Sequence, residues 1–220
     1  MKKIGLILLT LAVFNISYAA KEKVDTTFTF QNFAPNSADV VSTTDKRANF
    51  DSSSVIYPLF SSGATIKEMN KNMEKFVSMF KGNKNETYKV SYKVTGNNAY
   101  FVSILFDVTK TDKKNNTVTN YNEAASFNIK NGKILQLKDL FINGYNDALN
   151  AAVNGKIKQF GLETLDGKKN KFEGIAKSNQ KFYMEDDAII IFFNQGKATD
   201  FGNGQLFIPF ITTDLIGILK

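Results

Sequence analysis

The chain has 220 residues with neither cysteine nor histidine, and 28 lysines and arginines against 21 acids give it a formal charge of +7. Without imidazole or thiol it can build no Ser-His-Asp triad, no Cys-His pair and no ordinary zinc site, which leaves carboxylate, lysine, tyrosine and hydroxyl chemistry. Arg47 is the only arginine, so the chain has a single planar fork of the kind that reads bases in two-point contacts, and lysines spread along its length speak against a nucleic-acid partner.

Residues 1–19 read as an export signal. Lys2 and Lys3 precede "IGLILLTLAVF", an apolar run too short to span a bilayer, and "SYAA" supplies small residues for cleavage. Cleavage after Ala19 sets Ser17 and Ala19 at the small-residue positions and is preferred over cleavage after Ala20. Loss of Lys2 and Lys3 lowers the charge from +7 to +5. The mature protein is expected to be exported, periplasmic or secreted, with no transmembrane segment remaining. A core built from the 20 Phe and 8 Tyr must supply the stability that disulfides cannot.

After a polar leader, "TFTFQNF" alternates Phe28 and Phe30 with polar residues and predicts a half-buried strand. "NFDSSSVIYPLF" predicts a second, weaker one that stops at Pro58. From Thr65 the period changes: Ile66, Met69, Met73, Phe76, Val77 and Phe80 form one helical stripe. A Thr65–Glu68 capping box is expected at its start and Gly82 at its stop. "ETYKVSYKV", "AYFVSILFDVTKT" and "TVTNYNEAASFNI" alternate as strands, joined at "TGNN" and "DKKNN", and "KILQLKDLF" follows as a further extended stretch. A second helix is predicted at about Tyr145 to Phe160, with Leu149, Val153, Ile157 and Phe160 on one side and Gly161 beyond its end. Residues 162–180 are polar and poorly patterned, with room for one short helix. "KFYM" and "AIIIFFN" flank "EDD", and a glycine-rich loop "NQGKATDFGNG" leads to a last strand, "QLFIPFITTDL". These elements make an α+β fold of antiparallel sheets packed against two main helices. Residues 20–220 are expected to form a single domain, with two lobes meeting near residue 83 as the alternative division.

Three short motifs carry no chemistry here. "SNQK" fits the S-x-x-K pattern of envelope acyl-enzymes, but the partner S-D-N and K-T-G elements are missing. "DFG" at Asp200–Gly202 has no accompanying phosphate loop. In "LDGKKNKFEG" Lys168 and Lys177 fall where a calcium loop needs oxygen ligands. Glu185, Asp186 and Asp187 stand between two apolar runs, where acids serve as hairpin-turn residues; a surface cation site or partner contact is the competing reading.

The order of elements resembles the exported domain of RsiV-type anti-sigma factors, which also accompanies the catalytic module of PdaC-type peptidoglycan deacetylases. "NGKILQLKDLF" (Asn131 to Phe141), "FYMEDDAIIIFFN" (Phe182 to Asn194) and "FIPF" (Phe207 to Phe210) carry the resemblance. It implies an α+β domain without catalysis of its own that binds or senses at the cell envelope; in RsiV-type proteins the partner is lysozyme. Two loops, "KTDKKNNTVTNY" and "QGKATDFGNG", depart from the family pattern, so lysozyme itself is not carried over. The expectation is a secreted, non-enzymatic binding or sensing module without cofactor or metal, meeting an envelope glycan or protein partner. A glycan hydrolase working with two carboxylates about 5–10 Å apart is the alternative. The candidate contact surface is the glycine-rich loop, through Gln195, Lys197, Asp200, Phe201 and Asn203; a plain strand connection is the competing reading. Weak attraction to anionic envelope polymers or lipid headgroups fits the charge, as does a merely solvated lysine surface.

Overall fold

A computed structural model of the chain describes residues 25, 27–29, 32–33, 40–50, 52–167, 170–175 and 180–220. Residues 1–19, which the sequence predicts to be an export signal, lie outside these residues, as do Phe30, Lys168, Lys177 and Ser178. Strands β1 (Thr43–Phe50), β2 (Ser53–Phe60), β3 (Glu86–Asn97), β4 (Phe101–Asp112) and β5 (Thr117–Asn128) form one sheet in that order. Helix α1 (Ile66–Val77) crosses between β2 and β3, so that pair alone runs parallel, as a helical crossover permits and a hairpin does not. The antiparallel expectation therefore holds for every other pair in a sheet that is mixed. After β5 come a four-residue helix α2 (Leu137–Leu140), the long helix α3 (Asn146–Gln159) and a minimal hairpin of β6 (Asp166–Gly167) and β7 (Asn170–Lys171). Strands β8 (Phe182–Met184), β9 (Ala188–Phe193) and β10 (Leu206–Ile211) make a second, antiparallel sheet with β9 in the middle.

The apolar runs show how these elements stack. On β4, Val102, Ile104, Phe106 and Val108 face Met69, Met73, Val77 and Phe80 of α1 and the turn that follows it. The alternate residue Leu105 meets Tyr183, Ile190 and Phe192 of the small sheet. On β9, Ile189, Ile191 and Phe193 turn the other way, toward Leu149, Val153 and Ile157 of α3. The layers run helix, sheet, sheet, helix, and "AIIIFF" is unbroken by polar residues because both of its faces are covered.

A bulge between Val94 and Gly96 joins the two sheets. Its extra residue, Thr95, donates through Oγ1 to the Met184 carbonyl at 2.9 Å. A Cβ on Gly96 would lie 2.7 Å from the Phe101 ring and 2.9 Å from the Met184 carbonyl oxygen, so only glycine lets the backbones approach this closely.

Several expectations are corrected. "TFTFQNF" is not a strand among its described residues: Phe28 and Phe33 are instead buried as plugs against Phe101. "TTDKRANF" is a strand that its polar sequence conceals, and Pro58 lies inside β2, opposite Asp45, instead of ending it. There β3 makes no pairing with β2, which it meets only at Ser54 and Val55, so the missing N–H costs nothing on that side. The Thr65–Glu68 capping box does not form, because Thr65 Oγ1 donates to the Ile129 carbonyl at 2.5 Å. "KILQLKDLF" pairs with β5 through a single bridge, Phe127 to Ile134, and then coils into α2. Phe160 leaves the α3 stripe and is exposed, since the helix ends at Gln159 and Gly161 turns the chain at φ +71°. No helix occurs among the described residues of 162–180. No helix among the described residues is long and apolar enough to cross a membrane.

The half-buried and buried tyrosines predict a pH dependence. Burial, then a 2.7 Å hydrogen bond from its hydroxyl to Asp45, pushes Tyr92 up to about 12; burial likewise raises Tyr121, Tyr145 and Tyr183. These folded-state values exceed the unfolded value of 10.0, so the stabilisation is fully present below that pH and is lost as pH rises through the folded values. The urea midpoint is expected to stay level from about pH 7 to 9 and fall above about pH 10; a midpoint level to about pH 11.5 contradicts this.

Candidate functional site

Residues 195–204 leave β9 through a sharp bend. Gly196 adopts φ +69°, and a Cβ there would sit 3.1 Å from the Phe201 ring. The Gln195 side-chain amide donates to the Phe201 carbonyl at 2.8 Å, and Asp200 Oδ1 accepts the Gly202 N–H at 2.9 Å. Asn203 N–H donates to the Asp200 carbonyl at 3.0 Å, closing a short 3-10 turn over Phe201–Asn203. Ala198 and Thr199 are buried: Leu165 N–H donates to the Ala198 carbonyl at 2.9 Å, and Thr199 bridges to Thr164. The loop is thus held by its own polar groups. It presents Phe201 with 67% of its surface exposed, flanked by exposed Lys197, Asp200 and Asn203. Of the five residues named from sequence, Gln195 and Asp200 spend polar atoms on the loop itself, and Lys197, Phe201 and Asn203 are the outward groups.

The segment that braces this loop also walls a cleft of about 710 Å³ between α3 and residues 162–166 and 171–174. Asn150 fixes the far wall, its Oδ1 accepting the Ile175 N–H at 2.7 Å and leaving no room for a Cβ on Gly174. Phe172 stands edge-on to Phe193 with ring centroids 5.2 Å apart, so the cleft's aromatic wall is anchored on the strand that feeds the loop. Asn154 and Ile157 line the helix side. Glu163, Asp166 and Glu173 are also at the cleft, all solvent-exposed, and Lys158 and Lys171 share its lining. Among the described residues no group of three or more acids is arranged to hold a metal ion. Nothing in the sequence marked this cleft, because its wall is the polar, unpatterned stretch after α3.

Comparison with protein-family models finds no match, and comparison with curated proteins finds none either. Solved structures do match. The crystal structure of a DUF3298 family member from Bacteroides fragilis superposes with a TM-score of 0.57, covering 82% of this chain and 92% of that one at 11% identity. A DUF3298 family protein from Pseudomonas aeruginosa gives 0.52, covering 82% and 93% at 10% identity. The chain has a DUF3298-type fold. At such identities the likeness is one of backbone architecture.

Within this DUF3298-type fold, Glu185, Asp186 and Asp187 form the tip of the β8–β9 hairpin. Glu185 N–H donates to the Ala188 carbonyl at 2.9 Å, and the Asp187 carbonyl accepts from Thr212 N–H at 3.0 Å, so the three acids bend the chain. The half-buried pair of Lys181 and Glu123 is likewise structural: Lys181 Nζ lies 5.6 Å from the Tyr121 ring centroid and ties β8 to β5.

Proposed function

We propose that this chain is an exported, non-enzymatic binding or sensing module of the cell envelope, of the kind that RsiV-type and PdaC-type proteins carry. Its ligand, an envelope glycan or protein, meets the face made by the 195–203 loop and the adjoining cleft. One observation carries this reading: a loop locked by its own hydrogen bonds holds the Phe201 ring largely in solvent. Exposing a large ring costs hydration free energy, and a preordered aromatic beside amide-lined space is the usual anchor of a binding surface. The DUF3298-type fold is compatible with the reading, and the lack of histidine and cysteine narrows catalysis to carboxylate, lysine, tyrosine and hydroxyl groups. The cleft acids Glu163, Asp166 and Glu173 are what a hydrolase reading would have to use, and their exposure gives none of them the desolvated setting of a general acid.

The mature protein is expected to be retained by purified peptidoglycan or to capture an envelope protein from intact cells by crosslinking. Phe201→Ala should weaken that retention by about tenfold or more. The same incubation should release no reducing ends from the glycan. Retention of no envelope component would refute the module, and reducing ends lost in a Glu163→Gln, Glu173→Gln variant would favour the hydrolase.

A further inference from the structure

The net charge is not spread evenly, contrary to the first impression from the lysines. Residues 65–133 carry 12 lysines against 6 acids, whereas residues 134–220 carry 10 against 10. The excess belongs to α1 and the strands β3 to β5. Three of these lysines converge where β3 begins and β4 ends, on a cleft of about 240 Å³ lined by Ser52, Lys81, Gly82, Asn83, Lys84 and Lys113. It shares no residue with the loop or cleft described above.

The described carboxylates of this corner are already engaged. Glu86 pairs with Lys110 at 2.5 Å. Asp112 accepts from the Lys114 and Asn115 backbone N–H groups at 2.9 and 3.1 Å, and from the Asn115 side chain at 2.7 Å. Among the described residues no carboxylate pairs with Lys81, Lys84 or Lys113. Even with Asp51 counted beside Asp112, Lys81, Lys84, Lys113 and Lys114 leave an excess of positive charge.

The frame beneath them is closely packed and hydrogen-bonded. Gly82 takes φ +72°, and a Cβ would meet the Glu86 carbonyl oxygen at 2.6 Å and Ser53 Oγ at 2.7 Å. Asn83 N–H donates to the Glu86 carbonyl at 2.8 Å within one loop, and Lys113 N–H donates to the Asn85 carbonyl at 2.8 Å, stitching the two lysine-bearing loops together. Gathering like charges on a fixed frame is unfavourable by itself and becomes favourable when an anion sits among them.

We propose that this cleft binds a phosphate group, either free or carried by an envelope polymer or lipid. Lysine serves phosphate as a point charge, and three of them with the Ser52 hydroxyl match a compact, doubly charged anion better than the planar carboxylate that arginine forks select.

The test uses the full mature chain, inorganic phosphate followed by NMR, and vesicles with and without phosphatidylglycerol. Phosphate should shift the amides of residues 81–84 and 113. The variant Lys81→Gln, Lys84→Gln, Lys113→Gln removes only exposed side chains and should fold, as its far-ultraviolet dichroism can verify. Its phosphate affinity should fall about tenfold or more, while Lys67→Gln, Lys71→Gln, Lys75→Gln on the exposed face of α1 should change it less than about twofold. Vesicle binding lost in the first variant supports a lipid source, and free phosphate bound without vesicles supports a soluble or polymer-borne one. Equal losses in the two variants would show a diffuse field and overturn the site. Acetate binding as tightly as phosphate, or no phosphate binding at all, would overturn it too.

Discussion

Phe101→Ala is expected to cost about 3–5 kcal/mol, a large share of the roughly 5–15 kcal/mol that holds a domain folded. Phe101 opens β4, is fully buried, and lies in the core that α3 and the small sheet share. Phe28 and Phe33 pack against it with ring centroids 6.4 and 5.7 Å away, and the Gly96 bulge is shaped around its edge. Truncation leaves a void bordered by the Phe28 and Phe33 rings and the Gly96 backbone, so collapse from those sides is restricted and the cavity term stays large. The two rings that plug the site from outside the sheets also lose their seat. Urea denaturation should show the loss. Limited proteolysis should open the chain near Phe28 and Phe33 at urea concentrations where the wild type resists. Phe101→Leu, which keeps much of the volume, should fall well short of the alanine cost. A loss under about 1.5 kcal/mol for alanine would mean that the rings repack and Phe101 is not a keystone.

The sequence reveals burial far better than it reveals pairing. The α1 stripe is legible because Met69, Met73, Val77 and Phe80 face one sheet, and the hairpin acids are legible because "FYM" and "AIIIFF" on either side are apolar throughout. Strand β1 is illegible because it is an edge whose charges find partners far along the chain. Lys46 reaches Glu74 at 2.7 Å, and Asp45 accepts from Tyr92 at 2.7 Å. "TFTFQNF" deceives in the opposite sense: its period is that of a strand, but its rings fill a gap left by other elements, and nothing local reports that gap. Thr65 fails as a cap for a similar reason, since the Ile129 carbonyl offers it a tertiary partner. The same limit governs the site. The glycine-rich loop is visible in the sequence because Gly196 and Gly204 are needed at positive φ, whereas the cleft beside it depends on where α3 docks. The lysine cleft is hidden in a sequence whose lysines look evenly spread, and its convergence appears only when three separate loops meet.

The seam between the sheets gives the second large effect. Ser103 and Ser126 are buried on facing strands with their hydroxyls 2.8 Å apart, and Ser103 Oγ also accepts the Met184 N–H at 2.9 Å. One hydroxyl therefore serves a partner in each sheet. Ser103→Ala leaves the Met184 N–H without an acceptor in an environment closed to water, and such an orphaned donor costs about 1–3 kcal/mol. Ser126 then loses its partner as well, so the single substitution should exceed the cost of Ser126→Ala, which leaves the bond to Met184 intact. In the double variant the orphaned Ser126 hydroxyl is gone, and its cost should be less than the sum of the two singles by about 0.5 kcal/mol or more. Hydrogen exchange gives the sharper readout: the Met184 amide should lose protection in Ser103→Ala and keep it in Ser126→Ala. Strict additivity together with unchanged Met184 protection would mean that the serine hydroxyls are bystanders and that the seam is held by apolar contact and its other polar ties, such as Thr95 to the Met184 carbonyl.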